Sequence, residues 1–377
     1  MLSWKTASWG TRLKLVAFGL IPVALILVAA QACAYMSLHR TVTIATDSLT
    51  GLTYYSMRIG KWPWSHRNLT PINSLGLPDD EFVGLLPKGS CLHVLFAGDS
   101  YTFGDATDRE RRWTTLVAGM TTLRRADQCI RFFNIGVRNS TIDTTIARIH
   151  QVLPLIQPDV VILGQYQNDL TDLSNPGSPA WVPSQGGRPD SHWGTRLGRI
   201  VPGYNISLLR LLTYRAFAFM IKRNIRYDVL GTWSVLVGDS KREYAEQLKT
   251  IYHDLYGALV ADMRGRGIEF AALIFPSKMD VLAQRAPEGE FFTHLAEEFG
   301  VPHLPLMPML DANRRRMPFY VYDGHLNEFG NRVVAAAVWN WLFVAQPAPL
   351  PVLQPASSGA TTSTCGLGPG CSEPNAE

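Results

Sequence analysis

Short apolar runs recur along the chain, each ending in small or polar turn residues. They are Val94-Leu95-Phe96, Ile130–Ile135, Val160–Leu163, Glu269–Phe275 and Val301–Leu306. Continuous apolar runs of this length predict strands covered on both faces, as in parallel sheets. Between them, apolar positions recur at helical spacing. Ile142, Ile146 and Ile149 mark one helix, and a second stretch is helical from near Asp108. Helices are also predicted at about 241–264 and 290–299. A terminal helix spans Arg332–Phe343, with Val333, Val334, Ala337, Val338 and Trp341 on its apolar positions. Strand and helix in alternation predict a three-layer α/β/α sandwich with a mostly parallel sheet.

Candidate chemistry gathers where the predicted strands end. Ligands of open α/β sheets bind at the carboxyl ends of strands, and Gly98-Asp99-Ser100 stands at such an end. There Ser100 offers a hydroxyl. Gly136 follows the second strand, where the missing side chain lets a backbone N–H face a cleft. Past the third strand, Asn168 brings a carboxamide donor suited to a developing negative charge. Its neighbour Asp169 reads as a turn-stabilising carboxylate. Among nine histidines, His325 lies in a polar loop with a carboxylate, Asp323, two positions away, just before the terminal helix. By contrast, His93 and His150 read as structural or exposed, and His253, His294 and His303 fall in helical or connecting segments without such a partner. Each block alone is also explained by an ordinary strand-to-helix turn.

In this order the four blocks resemble the SGNH/GDSL hydrolase family, whose fold is flavodoxin-like. Its four invariant residues map onto Ser100, Gly136, Asn168 and His325, over roughly residues 90–345. Asn73-Ser-Leu-Gly76 resembles a lead-in of many bacterial members. The resemblance implies Ser100 as nucleophile, His325 as its base and Asp323 as the orienting carboxylate. It further implies an oxyanion hole formed by the N–H groups of Ser100 and Gly136 and the Asn168 side chain. One departure stands out. The family spacing is Asp-x-x-His, and this chain has Asp323-x-His325. Positions i and i+2 of an extended segment project to one side, so the carboxylate can still reach the ring. A Ser-His dyad is the other reading. The implied function is an exported serine esterase acting on an ester, acylated glycan or lipid. An O-acyltransferase or O-deacetylase of cell-envelope polysaccharide is the alternative within enzymes. A non-catalytic binding or assembly protein of the same fold is the alternative outside them. No cofactor is expected: Cys-x-x-Cys, His-Glu-x-x-His and a phosphate loop ending in Gly-Lys-Ser/Thr are all missing from the sequence.

A different pattern opens the chain. Leu15–Tyr35 is apolar and uncharged apart from the polar Gln31, follows Lys5, Arg12 and Lys14, and is long enough to cross a bilayer. An uncleaved anchor places residues 1–14 in the cytoplasm, 15–35 across the inner membrane and the remainder outside, in a periplasmic or extracytoplasmic space. A cleaved signal peptide is the rival reading, since Ala29, Ala30 and Ala32 close the run. Cysteine usage agrees with export. Cys91 and Cys129 precede the first two core strands, so neighbouring strands would bring them together as a disulfide; two separate buried thiols are the other reading. Cys365 and Cys371 bracket Gly-Leu-Gly-Pro-Gly and can close a small loop.

Composition adds limits. With 377 residues and 46% hydrophobic content, the chain supports one large α/β domain with appendages. A formal charge of +4, without a basic stretch interleaved with aromatics, gives no ground for nucleic-acid binding. Residues 36–89 read as a juxtamembrane extension with alternating Thr41-Val-Thr-Ile-Ala and the aromatics Tyr54, Tyr55, Trp62 and Trp64. Within the hydrolase-like span 90–345, residues 172–240 read as an insertion. Pro176, Pro179, Pro183 and Pro189 start it as an irregular loop, and an apolar helix with Leu208, Leu209, Leu212, Phe217 and Phe219 follows. That helix is expected to pack as a cap on the sheet, with an interfacial membrane contact through its basic flanks as the alternative. Arg314-Arg-Arg316 reads as a solvated basic face or an attractor of anionic substrate. Residues 346–377, rich in Pro, Ser, Thr and Gly, are expected to be disordered.

Overall fold

A computed structural model describes residues 9–46, 53–59, 67–82, 91–125, 128–173, 207–223, 239–345, 347 and 349–353. The prolines of 176–189, Trp62, Trp64, Cys365, Cys371 and the tail from residue 354 lie outside the described residues, while at the start of the tail Leu350 and Leu353 are buried in the core.

Five strands form the central sheet: β4 (Leu92–Gly98), β5 (Ile130–Asn134), β6 (Val160–Tyr166), β7 (Glu269–Phe275) and β8 (His303–Pro305). Their order is β5-β4-β6-β7-β8 and every pairing is parallel. The expected α/β architecture is therefore present, with its earliest strand inside the sheet. Alternation along β4 divides the core. Leu95 and Ala97 face a cluster built with α4 (Ile142–Ile156) and α7 (Asp239–Gly265). On the other face, Val94 and Phe96 meet α3 (Trp113–Arg124) and α11 (Glu328–Phe343). Both faces are covered, which is why the strands read as unbroken apolar runs.

Two boundaries differ from expectation. The run Val301–Leu306 contributes only the three-residue edge strand β8, because Pro302 and Pro305 have no N–H for a ladder. Ser100 lies in a one-turn helix, α2 (Ser100–Phe103), where a plain turn was expected. Asp99 caps it, its side chain accepting from the Tyr101 N–H at 2.9 Å.

Ahead of this domain, β1 (Arg40–Thr46), β2 (Thr53–Ile59) and β3 (Arg67–Ile72) form an antiparallel meander. Tyr55 and Met57 pack on Phe103 and Ala106, just past Ser100. The Arg112 guanidinium donates to the Thr70 hydroxyl, tying β3 to the same region. At the amino edge of the main sheet, Cys91 and Cys129 form a disulfide with Cα atoms 4.6 Å apart. The pairing of Leu92 with Ile130 brings the preceding cysteines side by side.

The N-terminal run lies in α1 (Trp9–Leu38); its segment Leu20–Leu38, with mean hydropathy 1.9, is long and apolar enough to cross a membrane. From the 172–240 region, α6 (Ser207–Arg223) packs along α1. Its Phe217, Ala218 and Ile221 enter the core cluster shared with α3 and α11, so one face of this helix is a packed cap.

Candidate active site

The turn that carries Ser100 is built from close backbone approaches. Gly98 has φ of +148°, and a Cβ there would lie 2.6 Å from the Gly164 carbonyl oxygen of β6. At Gly136 a Cβ would stand 2.3 Å from the Phe103 nitrogen of α2. Asn134, ending β5, locks the approach: its side-chain N–H donates to the Thr102 carbonyl at 2.8 Å and to Thr114 Oγ1 at 3.1 Å. With its Oδ1 it accepts the Gly136 N–H at 2.9 Å. The Gly136 N–H is thus donated within the turn, to Asn134. The glycine is demanded by crowding against α2.

From the opposite end of the chain, a loop before α11 brings His325 to Ser100. Their atoms Nε2 and Oγ are 2.8 Å apart. On the far side of the ring, Nδ1 meets Asp323 Oδ1, which also accepts the His325 backbone N–H at 2.8 Å. A carboxylate only accepts, so Nδ1 carries the ring proton and Nε2 is left to accept from the hydroxyl. The i, i+2 spacing therefore closes the contact, with one carboxylate oxygen holding both ring and backbone. Ser100 is only 7% exposed, and its Oγ also lies 3.3 Å from Asp99 Oδ2.

Several elements hold the histidine loop. Tyr320 N–H donates to the His325 carbonyl at 3.0 Å, and Asn327 N–H to that of Pro318 at 3.0 Å. Tyr101, next to Ser100, donates its hydroxyl to the Gly324 carbonyl at 2.8 Å. Its ring stacks on Tyr166 at 4.2 Å and lies 5.3 Å from that of His325. Lys278, buried at the start of α8 (Lys278–Ala283), donates to the carbonyls of Tyr320 at 2.9 Å and Val321 at 2.6 Å. Burial pushes its ammonium down to about 8, and the Asp323 charge acts against that fall. Replacement Lys278→Met keeps the length and removes the donors. It is expected to lower unfolding free energy by roughly 1–3 kcal/mol, read from denaturant curves, because two carbonyls lose their partner. An unchanged midpoint would show that the ammonium does not hold this loop.

Asn168 opens α5 (Asn168–Asp172) beyond β6. The register of Gly98 opposite Gly164 puts that loop alongside the Ser100 turn. The Asn168 carboxamide donates to Asp172 Oδ2 at 2.8 Å, which sets its rotamer. Asp169 stabilises the turn as expected, accepting the Tyr166 N–H at 3.0 Å. Burial raises the carboxyls of Asp169 and Asp99 above the usual range, and backbone N–H groups pull both back.

Sequence reading missed Asp105. It is buried, lies 3.9 Å from His325 Nε2, and accepts from Arg138 Nε at 2.6 Å and the Tyr55 hydroxyl at 3.2 Å. Its only trace in the sequence is an acid after Gly104, which reads as an ordinary turn. Among the described residues no cluster of His, Cys, Asp and Glu could hold a metal ion. Three other histidines serve elsewhere: His93 Nδ1 meets the Ile156 carbonyl, and His150 and His253 pair with Asp262 and Glu298.

No protein-family model matches the chain, and no curated protein matches it. Among solved structures, an acetyl xylan esterase aligns over 66% of this chain and 98% of its own, at 16% identity and a TM-score of 0.40. A lipolytic protein of the G-D-S-L family from Desulfitobacterium hafniense aligns over 66% of this chain and 98% of its own, at 13% identity and TM-score 0.38. For a mutant acetyl-xylooligosaccharide esterase from Geobacillus the shares are 67% and 94%, with 14% identity and TM-score 0.41.

Proposed function

We propose that the chain is a serine esterase that cleaves carboxylic esters through Ser100, His325 and Asp323. One observation carries the reading: a serine hydroxyl 2.8 Å from an imidazole nitrogen whose other nitrogen is held by a carboxylate. Nucleophile, base and orienter in that geometry make an unreactive hydroxyl into an attacking one. The proton of Ser100 passes to His325 Nε2 as Oγ bonds to the ester carbonyl carbon. The tetrahedral oxyanion then collapses, and the imidazolium gives its proton to the departing alcohol. Water, deprotonated by the same nitrogen, attacks the acyl-serine and releases the acid. Asp323 stabilises the imidazolium at both steps, and the Asp99 charge also favours a positive His325.

The oxyanion needs donors already in place, since reorganising them during reaction costs free energy. Ser100 occupies the first position of α2, where helix geometry leaves the backbone N–H without an intrahelical acceptor. A carboxamide has two N–H donors, and Asp172 sets the rotamer of Asn168 through one of them. These two groups are assigned to the oxyanion; Gly136 is not.

The test is hydrolysis of short p-nitrophenyl esters by the full chain in detergent. Asn168→Ala is expected to lower kcat by about 10²–10³-fold while leaving the unfolding midpoint in place. Turnover equal to wild type would remove Asn168 from the oxyanion hole.

A further inference from the structure

One helix joins the N-terminal span to the candidate site. Ser207–Arg223 packs along α1, buries Phe217, Ala218 and Ile221 in the core, and touches the turn Arg314–Arg316. The side chain of Arg215 reaches the ring of Tyr322, the residue before Asp323, at 5.3 Å.

Its outward face is unusual for a helix in water. Leu212 and Phe219 are 57% and 56% exposed, and Arg215, Ala216, Lys222 and Arg223 are exposed beside them. Positions 212, 215, 216, 219, 222 and 223 fall on one side of a helix with 3.6 residues per turn. So the stripe is two large apolar side chains framed by cations, opposite the stripe that enters the core. The helix carries four basic residues, Arg210, Arg215, Lys222 and Arg223, and no acidic one. The neighbouring turn adds exposed Arg315 and Arg316.

We infer that the outward face of α6 lies on the bilayer beside α1, with Leu212 and Phe219 below the headgroups and the cations on anionic lipid phosphates. Three observations favour lipid over a protein partner. The face adjoins a helix long and apolar enough to span a membrane, so a bilayer around α1 reaches α6 without any further association. All charge on the face has one sign, which complements anionic headgroups. Long basic side chains beside apolar ones suit the interface, where stems lie in the apolar layer and charged ends reach out. The inference rests on α1 being a membrane anchor and is independent of the esterase chemistry.

Spin labels on the full chain in phosphatidylglycerol–phosphatidylcholine nanodiscs test it. Cys33→Ser, Cys365→Ser and Cys371→Ser remove the remaining cysteines and leave the Cys91–Cys129 bridge intact. Single sites are then introduced as Leu212→Cys, Phe219→Cys, Val23→Cys in α1 and Glu246→Cys on α7, across the sheet. The labels at 212 and 219 are expected to collide more with dissolved oxygen than with a water-soluble nickel chelate, as at 23, and the reverse is expected at 246. Adding Arg215→Glu, Lys222→Glu and Arg223→Glu is expected to move labels at 212 and 219 toward the aqueous ratio. Three outcomes overturn the proposal. Aqueous ratios at 212 and 219 with a membrane ratio at 23 reject the surface. An aqueous ratio at 23 rejects the anchor on which it rests. Shielding of 212 and 219 from both reagents means protein covers the face, whether a second copy or another partner.

Discussion

Ser100→Ala should abolish ester hydrolysis, lowering kcat by about 10⁶-fold and leaving only what binding and the oxyanion donors supply. The prediction follows from the geometry of one atom. Oγ lies within hydrogen-bonding reach of His325 Nε2 and can both lose a proton and bond to an acyl carbon. Asp105 approaches the same nitrogen at 3.9 Å, but its side chain is held by Arg138 and Tyr55. Loss of a single oxygen should leave the fold intact, because α2 is capped by Asp99 and packed by Tyr101 and Phe103 rather than held by the hydroxyl. Covalent labelling by a fluorophosphonate gives a second readout, expected on wild type and lost in the variant. A variant that hydrolyses p-nitrophenyl acetate at the wild-type rate would end the esterase reading.

Asp323→Ala should cost about 10⁴-fold in kcat, an effect of the size measured when the orienting carboxylate of a comparable triad is removed. Here the carboxylate has two tasks. It accepts the ring Nδ1–H, which selects the reactive tautomer, and it accepts the His325 backbone N–H, which shapes the loop. Without it, either ring nitrogen can hold the proton and the imidazolium formed during attack loses its counter-charge. Asp99 and Asp105 are not replacements, since Asp99 caps α2 and bonds Ser100, while Asp105 lies toward Nε2. The outcome separates the two readings that the unusual spacing allows. A fall of less than about 10-fold would mean that Ser100 and His325 work as a dyad, with Asp323 only shaping the loop.

How much of this was legible beforehand differs by residue. The strands β4, β6 and β7 could be read directly, because burial on both faces leaves an unbroken apolar run. Strand β8 was overextended, since apolar character says nothing of the N–H groups that Pro302 and Pro305 lack. Ser100, Asn168 and His325 were singled out by their positions at strand ends or before the last helix, and the fold brings Ser100 and His325 together. Gly136 stands in the loop where a strand-end glycine was read. Its composition signal is the same whether a glycine frees an N–H or admits a neighbouring backbone, and here Asn134 takes the N–H. Lys278 left no pattern, and Asp105 only an acid after a turn glycine. Lysine and aspartate at surface-like positions are the commonest polar residues of loops and helix starts, and only the tertiary contacts bury these two.

Periodicity alone was enough for the layers of the molecule, for the membrane-length N-terminal run and for the strand ends where chemistry would sit. These depend on where apolar surface must go, and the order of side chains along the chain decides that locally. What needed the folded molecule was every relation between distant segments. Residues 225 positions apart meet at 2.8 Å, a carboxylate at an unexpected spacing holds its histidine, and a helix from a Pro-rich region lies along the N-terminal span. Such contacts depend on how loops close between packed elements, and the pattern along the chain holds no local trace of them.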